Sequence, residues 1–94
     1  MDVNERVSFK ARNNVVATEI DGGEVLLDLD SGQYFSLNET ASLVWRGIVE
    51  RESSVAIVHR ILAVYDVDEE RCVDDVSKII EAFCSAGLVE AADK

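Results

Sequence analysis

The sequence predicts an α+β domain in which a three-stranded antiparallel β-meander is followed by three α-helices. Three observations carry this fold class. Between Asn14 and Leu37, two turn signals, Asp21-Gly22-Gly23 and Asp30-Ser31-Gly32, divide a stretch rich in Val, Leu, Ile and aromatic residues into three short segments. Turns this short join antiparallel neighbours. Near Asn38 the period of the apolar residues lengthens from two to the helical 3.6, and it stays helical to Gly87.

The first strand is expected around Val15 to Ile20, and residues 1–13 show only weak periodicity, with an extended stretch expected at Val7 to Lys10. In the second strand, Val25, Leu27 and Leu29 are expected on the packed face, with Asp28 and Asp30 on the wet one. The third strand is Gln33-Tyr34-Phe35-Ser36-Leu37. Leu37, Ala41, Val44, Trp45, Ile48 and Val49 then follow the spacing of an amphipathic helix. Its start is marked twice, by Asn38 as an N-cap and by Ser36 with Glu39 as a capping box. Ser53 or Ser54 caps a second helix carrying Ile57, Ile61, Leu62 and Tyr65. Asp68 caps a third, whose first turn places Glu69 and Glu70 where the helix dipole favours acids. That helix is expected to stop at Gly87, with Leu88 folding back in a Schellman contact.

Composition narrows the function classes. The 94 residues suit a single domain, with its core over about 14–90, and the 48% hydrophobic and 30% charged content is that of a globular protein. No apolar run approaches the roughly 20 residues of a membrane span, and residues 1–14 lack the apolar core of a secretory signal, so the expected compartment is the cytoplasm and no membrane partner is expected. Nineteen acids against nine bases give a net charge of −10, which repels nucleic-acid phosphates. The imbalance lies towards the end of the chain: Asp66 to Lys94 hold nine acids and three bases. Cys72 and Cys84, 12 positions apart on one helix, lie about 18 Å apart along its axis and cannot bridge.

Catalysis finds little support. The only histidine, His59, falls on the solvent side of the second helix, and one His with two separated Cys makes no metal constellation. Gly22-Gly23 sits in a hairpin, not in a strand-to-helix phosphate loop. No carboxylate pair has the apolar setting that tunes a general acid. No catalytic residue, metal site or cofactor is expected.

The third strand carries the functional signal. In a meander the first and third strands are edges, and edges are ordinarily blunted by charge, proline or a bulge. Gln33 to Leu37 contains neither charge nor proline. On residues alone two readings stay open: a helix or loop covers this edge, or another chain completes the sheet there by β-augmentation. The third helix adds to the second reading. Val73, Val76, Ile80 and Phe83 make a core stripe, while Cys72, Ile79 and Ala86 widen the apolar arc to roughly 160°. That surplus either borders the third strand as a groove wall or is buried by the first two helices.

The stretch "LLDLDSGQYFSLNETASLVWRGI", with Gly32, Tyr34, Phe35, Leu37, Asn38, Ala41, Val44 and Trp45 in a G-x-Y-F-x-L-N-x-x-A-x-x-V-W pattern, resembles the pyrroloquinoline-quinone synthesis protein D family, whose fold is that of RiPP recognition elements and lasso-peptide leader-binding proteins. The resemblance runs from about Val15 to Val89. It implies a winged-helix-like α+β domain without catalytic activity, which binds the leader of a ribosomally made precursor peptide as an extra strand and presents it to a separate enzyme such as a leader peptidase or a radical enzyme. It implies that Gln33, Tyr34, Phe35, Ser36 and Leu37 pair with the leader. On the third helix the expected contacts are Cys72, Asp75, Val76 and Ile79; Asp75 reads either as a partner for a basic leader residue or as a solvated helix acid.

Three alternatives accompany this reading. A small acidic adaptor that binds a protein partner without any leader fits the same open edge. A winged-helix DNA reader fits the element order but not the charge, since the second helix offers only His59 and Arg60. An open edge also permits a homodimer through strand exchange.

Overall fold

The structure, a computed structural model, describes residues 8–92. Eight elements follow in chain order: β1 (Ser8–Ala11), β2 (Val15–Ile20), β3 (Gly23–Asp28), β4 (Tyr34–Leu37), α1 (Glu39–Val49), α2 (Ser54–Val64), α3 (Glu69–Ser85) and β5 (Val89–Ala92). The expected meander is the sheet β2-β3-β4. It pairs Val16 with Leu27, and Leu27 in turn with Tyr34.

A second, two-stranded ribbon frames this unit. β1 pairs antiparallel with β5, with Lys10 opposite Glu90. Of the extended stretch expected at Val7 to Lys10, Ser8 to Lys10 form strand with Ala11, and Val7 lies outside the described residues. β5 corrects the reading of a chain that ends in helix. Lys10 Nζ and Arg12 Nη1 lie 3.5 and 3.7 Å from the Glu90 carboxylate, so two cations of the basic beginning of the chain meet acid from its end. These pairs are exposed and contribute little energy by themselves.

The inward phase of β3 is the reverse of the expected one. Leu26, completely buried, and Asp28 face the core, while Leu29 is 60% exposed. The strand carries apolar residues at both parities, so alternation alone gave the wrong face. Asp28 is accommodated there because its Oδ1 accepts from the Asp30 backbone N–H at 2.9 Å and from Asn14 Nδ2 at 2.8 Å. The Asp30 N–H is the main reason its pKa lies below the ordinary value of 3.8, against the opposing effect of burial.

The helices start where their capping residues direct. Asn38 Oδ1 accepts from the Ala41 N–H at 2.9 Å, and Ser53 Oγ from the Ala56 N–H at 3.1 Å. Ser36 belongs to β4, so Asn38 alone marks the start of α1 and no capping box forms. Asp68 occupies the N-cap of α3 without a side-chain bond. At the other end the expected Schellman motif is present: Gly87 adopts φ +78°, its N–H bonds Cys84 O at 3.1 Å, and Leu88 N–H bonds Phe83 O at 3.0 Å.

The core lies between the inner face of the sheet and the three helices. Leu26, Val44, Trp45, Ile48, Ile57, Val58, Ile61, Val76, Ile80 and Phe83 are buried there, and the Trp45 and Phe83 rings meet edge to face at 5.7 Å. Two expected stripe positions depart from this. Val49 is exposed, and on α3 the stripe runs through Cys72, Val76, Ile80 and Phe83 and leaves Val73 36% exposed. Val58, absent from the expected face of α2, is buried beside Ile57 and Ile61.

β3 and β4 approach closely at their ends. A Cβ on Gly23 would lie 2.2 Å from the Leu37 carbonyl oxygen, so only glycine permits this contact.

Candidate functional site

β4 leaves the hairpin loop at Gly32, whose φ is +77° and whose N–H bonds Asp28 O at 2.7 Å. The next bond in the ladder runs from Asp28 N–H to Gln33 O at 2.9 Å. Hydrogen-bonded pairs alternate along an antiparallel ladder, so Leu26 with Phe35 and Glu24 with Leu37 are the following bonded pairs. Tyr34 and Ser36 therefore direct their N–H and C=O groups away from β3. β4 is the last strand of its sheet, so these groups form its outer edge.

The side chains of β4 divide by the same alternation. Phe35 and Leu37 turn inward and pack on the core, while Tyr34, 71% exposed, and Ser36 face outward. The pleat, which the sequence leaves open, thus sends two apolar side chains inward and keeps two backbone donors and acceptors on the edge.

Directly after β4 the chain enters α1, and here a cavity of about 120 Å³ opens between the start of α1, the end of α2 and the start of α3. It is lined by Thr40, Ile61, Tyr65, Val67, Cys72, Asp75 and Val76. Three of the four α3 residues expected at the groove, Cys72, Asp75 and Val76, are brought together in its wall. Ile79 is not in the lining; it is half-buried and packs against the core. Cys72 and Val76 are themselves core residues, Cys72 only 2% exposed, so they offer the cavity an apolar wall and not a free surface. Burial is the main cause that pushes the Cys72 thiol up, with the charges of Asp75 and Glu69 adding to it.

Thr40, Ile61, Tyr65 and Val67 were not foreseen. Val67 offered a signal, an apolar residue between two acids in the Tyr65-Asp66-Val67-Asp68 connection. Tyr65 gave none, because its role depends on a contact 26 positions away: its hydroxyl donates to Glu39 Oε1 at 2.8 Å and ties the end of α2 to the start of α1. That bond to a carboxylate is the main cause that raises the Tyr65 phenol above its ordinary value.

Other chemistry gains little from the structure. Arg60, one of two basic residues on α2, is held by Glu50 at 3.0 Å and by Glu52, so its guanidinium is not presented to a phosphate backbone. Among the described residues no three His, Cys, Asp or Glu side chains are grouped to hold a metal ion, and no helix is long and apolar enough to cross a membrane.

The family model for coenzyme PQQ synthesis protein D (PqqD) matches residues 23–89, which include β3, β4, the three helices and the cavity. Two solved structures are similar over nearly the whole chain. One, described as TbiB1 in complex with the TbiA(beta) leader peptide, is 32% identical, covers 90% of this chain and 99% of its own, and superposes with a TM-score of 0.83. The other, a lasso peptide synthetase B1 complexed with the leader peptide, is 26% identical, covers 87% of this chain and 96% of its own, and has a TM-score of 0.81. No curated protein matches.

Proposed function

The chain belongs to the coenzyme PQQ synthesis protein D (PqqD) family, and from that premise we propose that it binds the leader of a ribosomally made precursor peptide as an added strand on β4. The observation that carries the reading is the free edge at Tyr34 and Ser36, on the strand that leads directly into α1, whose first turn supplies Thr40 to the cavity formed with Ile61, Tyr65, Val67, Cys72, Asp75 and Val76. Backbone bonds to the edge supply affinity independent of sequence, and an apolar leader side chain in the cavity supplies specificity. Two similar proteins are complexed with leader peptides, which supports the same ligand class here.

In this reading the protein performs no chemistry. It raises the local concentration of the core peptide at a separate modifying enzyme, such as a leader peptidase, in lasso-type or related biosynthesis. Asp75 at the cavity wall favours a leader with a basic residue next to its apolar anchor. The open edge also permits a homodimer through β4 before leader is bound.

The test is a titration of isotope-labelled protein with the leader of the precursor encoded beside it. Saturable amide shifts at Gln33 to Leu37 and at Thr40, Val67, Cys72 and Asp75 are expected. Binding that leaves β4 unmoved would overturn strand addition.

A further inference from the structure

A second cavity, of about 290 Å³, lies on the other side of Tyr65 and is lined by Glu19, Gly22, Gly23, Glu39, Ser42, Leu43, Arg46, Val64 and Tyr65. It opens beneath the β2–β3 turn, against the first turns of α1. Its charges are unevenly satisfied. Arg46 is paired with Glu19 at 2.9 Å and Glu24 at 3.4 Å. Glu39 has no cation: Oε1 accepts from the Tyr65 hydroxyl, and Oε2 has no partner among the described residues. Oε2 lies near Gly22, where a Cβ would meet it at 3.6 Å, an ordinary contact distance.

Ser42 supplies a second, independent observation. It is 5% exposed, lines this cavity, and its Oγ has no hydrogen-bond partner. Buried polar groups are nearly always bonded, and one left without a partner is costly. A carboxylate oxygen and a hydroxyl without partners thus lie on the same α1 face, three residues apart. Leu43 and the exposed Val64 add apolar wall that suits an alkyl stem.

We propose that this cavity takes the side chain of a lysine or arginine from a bound peptide, its cationic head on Glu39 Oε2 and its methylene stem along Leu43 and Val64. The inference rests on the leader-binding reading only for the source of that side chain. Gly23 lies against the Leu37 carbonyl, so the cavity adjoins the end of β4 on the side of β3. The cavity would read a basic residue outside the strand-forming part of the leader, separately from whatever fills the first cavity.

The test begins with a probe that needs no leader. Butylguanidinium chloride is titrated into labelled protein, with equal concentrations of sodium chloride and 1-butanol as controls. Saturable amide shifts at Gly22, Gly23, Ser42 and Val64 are expected with butylguanidinium alone. Glu39→Gln, which keeps the bond from Tyr65, should weaken binding about tenfold or more, and Ser42→Ala several-fold. Shifts that the controls reproduce, or affinity that survives Glu39→Gln, would overturn the proposal. A leader that fails to move β4 instead overturns strand addition and leaves the butylguanidinium result to decide this cavity.

Discussion

Proline at position 36 separates the edge of β4 from its ladder. The Ser36 N–H points away from β3, so Ser36→Pro removes no bond of the β3–β4 pairing, and an edge position that bonds nothing inside the sheet is where a strand tolerates proline. The preceding Phe35 is already extended, as proline requires of its neighbour. The thermal midpoint should therefore move by no more than about 4 °C, the equivalent of less than roughly 1 kcal/mol in a domain of this size. Leader binding should suffer more. One lost backbone bond costs about 1 kcal/mol, roughly fivefold in Kd, and up to about 3 kcal/mol, roughly a hundredfold, if the leader carbonyl opposite is left without water. The proline ring also occupies the space of the incoming strand. Anisotropy of a labelled leader measures the Kd, and the matched Leu37→Pro variant, which breaks the pair with Glu24, should lose fold stability. A folded Ser36→Pro protein with unchanged affinity would refute the assignment of Tyr34 and Ser36 to the binding edge.

Three further outcomes follow from the geometry. The folded Asp28 carboxylate titrates below 3.8, so its stabilising contribution is complete well above 3.8 and is lost as pH falls through the folded value; as pH falls below about 5 the melting temperature should drop more steeply than in Asp28→Asn, and parallel slopes would sink this assignment. Cys84 is exposed and Cys72 buried, so iodoacetamide should modify only Cys84 in the native protein and both in urea, as read by mass spectrometry; equal native rates would show that the α3 wall opens. Gly23→Ala drives a Cβ against the Leu37 carbonyl and should cost about 1–3 kcal/mol, visible as a fall of roughly 5–20 °C in the melting temperature.

The proposed binding edge rests on local signals. An uncharged, proline-free strand at the end of a meander marks an unguarded edge, and its position one residue before an Asn cap places it at a helix start. Cys72, Asp75 and Val76, which the family resemblance implied on α3, share one cavity wall. Ile79 lies outside that wall because the α3 stripe is rotated from the one the apolar residues suggested: with Val73 outward and Cys72 inward, the core claims part of the arc that had looked surplus. A periodic pattern gives the width of an apolar face, and only the neighbouring helices decide where its centre falls.

The same division runs through the whole chain. Sequence by itself determined what depends on neighbours within a few positions: the glycine turns, a serine cap at the start of α2 and Asn38 at that of α1, the Gly87 stop, the order of the meander strands and the three helices, and the absence of charge from β4. Tertiary structure decided what depends on distant partners. Which parity of β3 faces inward is set by packing and by the Asp28 bonds to Asn14 and Asp30; β5 exists because β1, some eighty residues earlier, pairs with it; and both cavities are bounded by Tyr65 reaching back to Glu39. Turns and caps are settled by hydrogen bonds the chain makes to itself locally. Strand partners, buried faces and cavities depend on contacts that exist only after the chain has closed on itself.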